Sequence, residues 1–202
     1  TGYEKTEDEG KLLSLRETKD GKNLLIFDKT PFYAESGGQV GDQGKIYSDN
    51  FVGKVLDVQK QKDIFIHTVE FEKGIAEENK TYKLEVDIVR RLDTAKNHTA
   101  THLLHKALRE VVGTHVQQAG SLVDSEKLRF DFSHYEALTA EQLSKIEDIV
   151  NEKIREGIEV AVSHHTIEEA KKLGAMMLFG DKYGDVVRVV DVPGFSTELC
   201  GG

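Results

Sequence analysis

The spacing of apolar residues changes at Arg90-Arg91, and this change constrains the fold more than any other feature of the sequence. Before it, apolar and polar residues alternate in short runs, as in β-strands that bury one face. In the clearest run, Thr81–Ile88, the alternate residues are Tyr82, Leu84, Val86 and Ile88. After it, apolar residues recur at the three- and four-residue spacing of helices. The sequence therefore predicts an α+β protein with two parts.

The first part, residues 1–89, is predicted to be a small β-barrel, because its alternating runs are short and separated by turn signals. An Asp20-Gly21 pair between two of these runs is typical of a hairpin turn. The predicted strands are Leu12–Thr18, Asn23–Asp28, Gly44–Tyr47, Val52–Gln59, Ile64–Glu70 and Thr81–Ile88. The barrel also carries a glycine-rich segment, Phe32–Asp42.

The second part, residues 90–202, is predicted to be an α/β domain in which a long helix packs on an antiparallel sheet. The predicted helices are Leu92–Val112, one from the capping box Thr139–Gln142 to Gly157, and one from the capping box Thr166–Glu169 to about Gly174. The predicted strands are Lys127–Ser133, Val186–Val192 and, after a turn at Pro193-Gly194, Phe195–Leu199.

Composition narrows the classes of protein to which the chain can belong. Its formal net charge of -9 argues against broad, non-specific binding of nucleic acid, since phosphate contacts need lysine and arginine. A small RNA footprint stays compatible with this charge. Cys200 is the single cysteine, which excludes an internal disulfide and fits a reducing, cytoplasmic location. No apolar run approaches the roughly 20 residues of a membrane-spanning helix, so no membrane association is expected.

Two histidines on the long helix have the spacing of metal ligands. His98 and His102 are four residues apart and therefore lie on one face of a helix. Thr99 follows the first histidine, which argues against the metalloprotease pattern with glutamate at that place. His105 lies on the same face but about 10 Å along the helix from His98, so a metal would take His98 with His102, or His102 with His105. Buried or surface histidines without a metal are the alternative, and Cys200 is a ligand, a nucleophile or a small buried residue.

The glycine-rich segment Phe32–Asp42 admits two interpretations. It is not a phosphate-binding P-loop, because no Lys-Ser/Thr pair follows its glycines. Its paired glycines, with Gln39 and Asp42, would let the backbone approach a ligand closely. A turn of the barrel explains the same residues equally well.

Four motifs together resemble the editing domain of alanyl-tRNA synthetases. They are His98-Thr-Ala-Thr-His102, Phe32–Asp42, Leu128-Arg-Phe-Asp-Phe-Ser-His134 and Ser196-Thr-Glu-Leu-Cys-Gly-Gly202. The resemblance covers nearly the whole chain, with the motifs in the right order and spacing. Free-standing alanyl-tRNA editing proteins and the second amino-terminal domain of threonyl-tRNA synthetases are similar. Ala34-Glu35-Ser36 and the residues from Thr1 look more like the form embedded in a synthetase, which suggests a fragment.

The resemblance implies a proofreading hydrolase that removes serine or glycine from tRNA(Ala). It implies that zinc is held by His98, His102 and Cys200, with a fourth ligand, a histidine, expected just beyond Gly202. A glutamine at Gln118 lines the pocket in this family, and Gln39 of the glycine-rich segment is a second candidate. The implied partners are the acceptor end of tRNA(Ala) and the rest of a synthetase chain. The complete synthetase is also expected to bind ATP.

Two other functions stay open at this point. One is a free-standing protein that edits in trans, and the other is a non-catalytic tRNA-binding module with a structural zinc. Basic residues around the histidine helix are predicted to contact phosphates despite the negative total charge. They are Arg90, Arg91, Lys96, Lys106 and Arg109.

Overall fold

The computed structural model of the protein describes residues 5–176 and 184–201, which divide between Ala95 and Lys96 into two compact units. Thr1 and Gly202, at the outer ends of the resemblance above, lie outside the described residues. The strands are β1 (Glu7–Glu17), β2 (Asn23–Phe27), β3 (Gly44–Ser48), β4 (Phe51–Gln61), β5 (Ile64–Lys73), β6 (Thr81–Val86), β7 (Gln118–Val123), β8 (Leu128–Phe132), β9 (Ala161–Thr166), β10 (Val186–Val192) and β11 (Ser196–Leu199). The helices are α1 (Ile88–Val111), α2 (Ala140–Glu156) and α3 (Ile167–Lys172), and none of them is long and apolar enough to cross a membrane.

The first unit contains a closed barrel of six antiparallel strands in the order β1-β2-β5-β4-β3-β6. The predicted barrel is therefore confirmed. The Asp20-Gly21 turn joins β1 to β2 as predicted, and the Thr18 N–H donates to the Lys22 carbonyl oxygen across it. β1 begins at Glu7, five residues before the predicted start, because Glu7–Lys11 pairs with β6.

The predicted alternation of buried residues in Thr81–Ile88 is confirmed for three of the four apolar residues and wrong for the fourth. Tyr82, Leu84 and Val86 are buried in the barrel core, whereas Ile88 is 42% exposed and belongs to α1. The cause lies at Asp87, whose side chain accepts a hydrogen bond from the Arg90 N–H at 3.0 Å. Such an acceptor satisfies a free N–H of the first helical turn, so the helix begins four residues before the predicted Leu92.

A neutral histidine lies inside the barrel core. His67 on β5 has no exposed surface, and its Nδ1 lies 3.0 Å from the Leu25 carbonyl oxygen. A carbonyl oxygen only accepts, so Nδ1 carries the proton and Nε2 accepts from the Thr30 hydroxyl at 2.8 Å. Burial lowers the pKa of His67 to about 4, against a partial opposing effect of the Leu25 hydrogen bond.

Acid should therefore destabilise the barrel through His67. The folded pKa lies below the ordinary 6.5, so the stabilisation is complete above pH 6.5 and is lost as the pH falls from 6.5 to about 4. We expect a loss of about 3 kcal/mol in the free energy of unfolding, measured by urea denaturation at pH 7 and pH 4. A His67→Gln variant should show a flatter pH dependence over this range. Parallel curves for the two proteins would contradict the assignment.

The second unit packs α1 and α2 against a hairpin of β7 and β8. Ala107 and Leu108 of α1 form a cluster with Val116 and with Ile146 of α2. Partly buried apolar residues complete this cluster: Leu104, Val111, Val112, Phe130, Phe132, Leu138, Ile149 and Val150. The predicted arrangement of a long helix on antiparallel strands is thus confirmed.

A separate antiparallel sheet in the second unit has the strand order β11-β10-β9. Both predicted capping boxes are present, with Thr139 paired to Gln142 and Thr166 paired to Glu169. β7 and β9 were not predicted. β7 carries Gly120 and small polar residues, and β9 is mostly exposed, so neither shows the apolar alternation by which strands are recognised.

Candidate metal centre

The structure brings His98, His102 and Cys200 together within the second unit. Their ligand atoms, two imidazole nitrogens and one sulfur, all lie within 4.8 Å of one another. His98 and His102 are one turn apart on α1, and their rings stack with centroids 5.3 Å apart and an interplanar angle of 11°. Both residues are buried, and the sulfur of Cys200 lies 3.2 Å from His98 Nε2.

Cys200 directly follows β11 and is held by the backbone and the side chain of Arg188 on β10. Its N–H donates to the Arg188 carbonyl oxygen at 3.1 Å, and its own carbonyl oxygen accepts from Arg188 Nη1 at 3.1 Å. Antiparallel pairing of Val189 with Leu199 fixes the register just before the cysteine. The thiol position is therefore set by the sheet and the histidine positions by the helix.

The electrostatics of the cluster favour a thiolate. Burial raises the pKa of the Cys200 thiol, but hydrogen bonds from His102 and His98 outweigh it and hold that pKa well below its usual range. Burial opposes charge on His102 as well, and hydrogen bonds to Cys200 and Glu198 outweigh it and raise the His102 pKa. His102 and Cys200 thus favour each other's charged forms, the imidazolium and the thiolate.

Glu198 is a buried residue of the cluster that the sequence analysis did not identify. Its Oε2 accepts from His102 Nδ1 at 2.8 Å, and its Oε1 accepts from His105 Nδ1 at 3.2 Å and from the Ser196 hydroxyl at 3.1 Å. These contacts lower the pKa of the Glu198 carboxyl despite its burial. One signal was available in the sequence, since Ser196, Glu198 and Cys200 occupy alternate positions that share a face of a strand.

The cluster fits a metal ion by its donor chemistry. Two imidazole nitrogens and a thiolate are ligands that zinc prefers, and zinc sites with three protein ligands take a fourth from water or substrate. His105 faces Glu198 with Nδ1, so the structure groups His102 with His98 and Cys200 rather than with His105. A metal held by these three residues is therefore compatible with the structure.

Gln118 is the first residue of β7 and pairs with Phe132 of β8. It is half-buried, and its side-chain amide donates to the Ser121 hydroxyl at 3.2 Å. The strand, rather than a loop, therefore sets the position of this predicted pocket residue.

The glycine-rich segment forms a tight turn in the first unit. Ser36 and Gln39 exchange backbone hydrogen bonds of 3.2 and 3.0 Å, and Gly37 and Gly38 between them have φ of 58° and 79°. Both central residues of such a two-residue turn need positive φ, which glycine adopts without strain. Gln39 is buried. The barrel-turn interpretation is thus sufficient to explain the paired glycines.

Arg91 has a structural role in the first unit, which corrects its predicted role as a phosphate contact. Its Nε donates to the Asp42 carboxylate, its Nη1 donates to the Lys5 carbonyl oxygen at 2.8 Å, and its Nη2 donates to the Pro31 carbonyl oxygen at 2.7 Å and to Asp42. Asp42 also accepts from the Tyr33 N–H at 2.6 Å. All three guanidinium nitrogens have protein acceptors, and the pair fastens the end of the glycine-rich segment.

Comparison with known proteins places the chain in a family. The family model described as "tRNA synthetases class II (A)" matches residues 2–90. The whole chain is 92% identical to 23% of the alanine–tRNA ligase of Fusobacterium nucleatum subsp. nucleatum. It is 50% identical to the corresponding ligase of Alkaliphilus metalliredigens and 52% identical to that of Listeria welshimeri, covering 24% of each. The chain spans about a quarter of the length of these relatives and belongs to the alanyl-tRNA synthetase family.

Proposed function

We propose that the chain is the editing part of an alanyl-tRNA synthetase and hydrolyses the ester bond of seryl- and glycyl-tRNA(Ala). The observation that carries this proposal is the cluster of His98, His102 and Cys200 in a chain of this family. Such an enzyme needs a second site, because a pocket that selects alanine rejects glycine by only about 1–3 kcal/mol. Added hydroxyl groups, as in serine, are also poorly excluded by a small apolar pocket.

In this proposal His98, His102 and Cys200 hold a zinc ion within residues 90–202, the proposed editing domain. Bound zinc would supply a Lewis acid that polarises an ester oxygen or a water molecule. The protein would contribute the dry, fixed surroundings of two buried histidines and a cysteine whose peptide is anchored to Arg188. No residue is assigned as a general base.

Selectivity against alanine requires polar groups that recognise the serine hydroxyl. We assign this role to Gln118, whose half-buried amide lies on a strand of the same unit as the cluster. A site built to hydrogen-bond a hydroxyl rejects the analogue that lacks it more strongly than an apolar pocket does, because its polar groups are then left unpaired.

The proposed RNA partner is the acceptor end of tRNA(Ala), presented with the rest of the synthetase chain. A net charge of -9 is compatible with a small footprint and not with broad phosphate binding. Arg90, Lys96, Lys106 and Arg109 stay candidates for phosphate contacts, whereas Arg91 donates to Asp42 and Pro31 within the first unit.

The decisive test is incubation of the zinc-loaded protein with seryl-, glycyl- and alanyl-tRNA(Ala). We expect hydrolysis of the seryl and glycyl forms to be much faster than that of the alanyl form. Gln118→Ala should reduce this selectivity or the rate, while Gln117→Ala, at the exposed neighbouring position, should behave like the unchanged protein. Equal rates on seryl- and alanyl-tRNA would exclude proofreading. Binding of all three without hydrolysis would favour the tRNA-binding module with a structural zinc.

A further inference from the structure

We propose that Glu198 is a positioning residue that fixes His102 as a metal ligand through its Nε2. The carboxylate of Glu198 lies 2.8 Å from His102 Nδ1, on the side of the ring away from the nitrogen that is left for the metal. An ionised carboxylate only accepts hydrogen bonds, so the His102 Nδ1 must carry a proton. The lone pair that can bind a metal is then at Nε2. The inference rests on the metal site of the proposed function and adds a residue to it.

Glu198 is itself held in place from two other directions. His105 Nδ1 and the Ser196 hydroxyl both donate to Oε1, while His102 donates to Oε2. The residue is 7% exposed, so water does not replace these three donors. The carboxylate therefore connects the second and third histidines of α1 with Ser196, a strand residue four positions before Cys200.

His105 is oriented mainly by packing. Its ring lies 5.2 Å from the Phe130 ring, and its Nε2 is buried without a hydrogen-bond partner among the described residues. The His105 ring is thus held by packing against Phe130 and by its hydrogen bond to Glu198. His105 lies too far along the helix from His98 to share a metal with it. In this arrangement His105 instead acts on the proposed metal site through the carboxylate of Glu198.

A glutamine cannot accept from all three donors of Glu198 in their present orientations. It has one acceptor oxygen, so its amide N–H groups must face either His102 or the His105 and Ser196 pair, all of which donate. Partners in the outer shell of metal-bound histidines typically contribute 10- to 100-fold to metal affinity. We therefore expect Glu198→Gln to weaken zinc binding by about 10-fold or more.

The experiment measures zinc affinity by chelator competition, and cobalt absorption spectra, for the unchanged protein, Glu198→Gln and Glu152→Gln. Glu152 is an exposed glutamate of α2 and provides the matched control. The control should bind zinc like the unchanged protein, while Glu198→Gln should bind more weakly and shift the cobalt ligand-field bands. Equal zinc affinity in all three proteins would overturn the proposal.

A second measurement needs no variant. Nitrogen-detected NMR of the zinc-loaded, unchanged protein shows which nitrogen of His102 carries the proton. A proton on Nδ1 with the metal on Nε2 supports the proposal, and the reverse arrangement overturns it. Neither measurement depends on hydrolysis, so a protein that binds zinc as expected but leaves seryl-tRNA intact would contradict the proposed function and not the role of Glu198.

Discussion

Replacing His98 or Cys200 with alanine should lower zinc affinity by more than about 100-fold and abolish deacylation of seryl-tRNA. The loss of an outer-shell partner already costs up to about 100-fold, and the loss of a direct ligand costs more. With one of the three proposed ligands gone, the tetrahedral set of nitrogen and sulfur donors that zinc prefers is incomplete. Zinc titration with a competing chelator, followed by the deacylation assay, measures both effects.

The zinc affinities of two other histidine variants provide comparisons for this result. His164→Ala, at an exposed position of β9, should bind zinc like the unchanged protein. His105→Ala should show an intermediate loss, because it removes a donor to Glu198 and not a ligand. Unchanged zinc affinity in both His98→Ala and Cys200→Ala would show that the metal site lies elsewhere.

Arg91→Ala should lower the free energy of unfolding of the barrel by about 3–5 kcal/mol, the usual cost of removing one partner from a buried ion pair. Asp42 is 6% exposed and would be left with the Tyr33 N–H but without its cationic partner. The Lys5 and Pro31 carbonyl oxygens would lose their donors at the same time. Urea unfolding at neutral pH measures this loss.

The exposed Arg16 of β1 gives the matched control, and Arg16→Ala should change the stability by less than about 0.5 kcal/mol. A double variant, Asp42→Asn with Arg91→Met, should recover part of the loss, because the remaining amide still accepts from Tyr33 and no charge is left buried. Normal stability of Arg91→Ala with weakened tRNA binding would instead restore the predicted phosphate contact.

Local chemistry made much of the fold predictable. Alternation along the first part predicted the barrel strands, and the capping boxes located the starts of α2 and α3. The candidate metal ligands were predicted in two steps, since helical spacing selected His98 and His102 and the resemblance added Cys200, and the structure brings the three together. The strands, capping boxes and histidine pair depend on residues close together in the sequence. Cys200 was identified through four motifs that are specific when taken together.

The features that could not be predicted depend on partners far away in the sequence. Arg91 and Asp42 are 49 residues apart, and Glu198 and His102 are 96 residues apart, so no local pattern connects them. The strands β7 and β9 are held by pairing with β8 and β10 rather than by their own composition. The start of α1 was misplaced because apolar alternation continues through Ile88 although Asp87 already caps the helix.

The proposed metal ligands lie on α1 and just after β11, and this separation determines when the site can form during synthesis. Cys200 follows His98 by 102 residues, and ribosomes add roughly 5–20 residues per second, so the cysteine is made about 5–20 s after that histidine. Throughout this interval α1 offers its histidines without the thiolate or the carboxylate that holds them. A metal ion held by all three residues, as we propose above, would therefore complete its coordination by them only after Cys200 has been made.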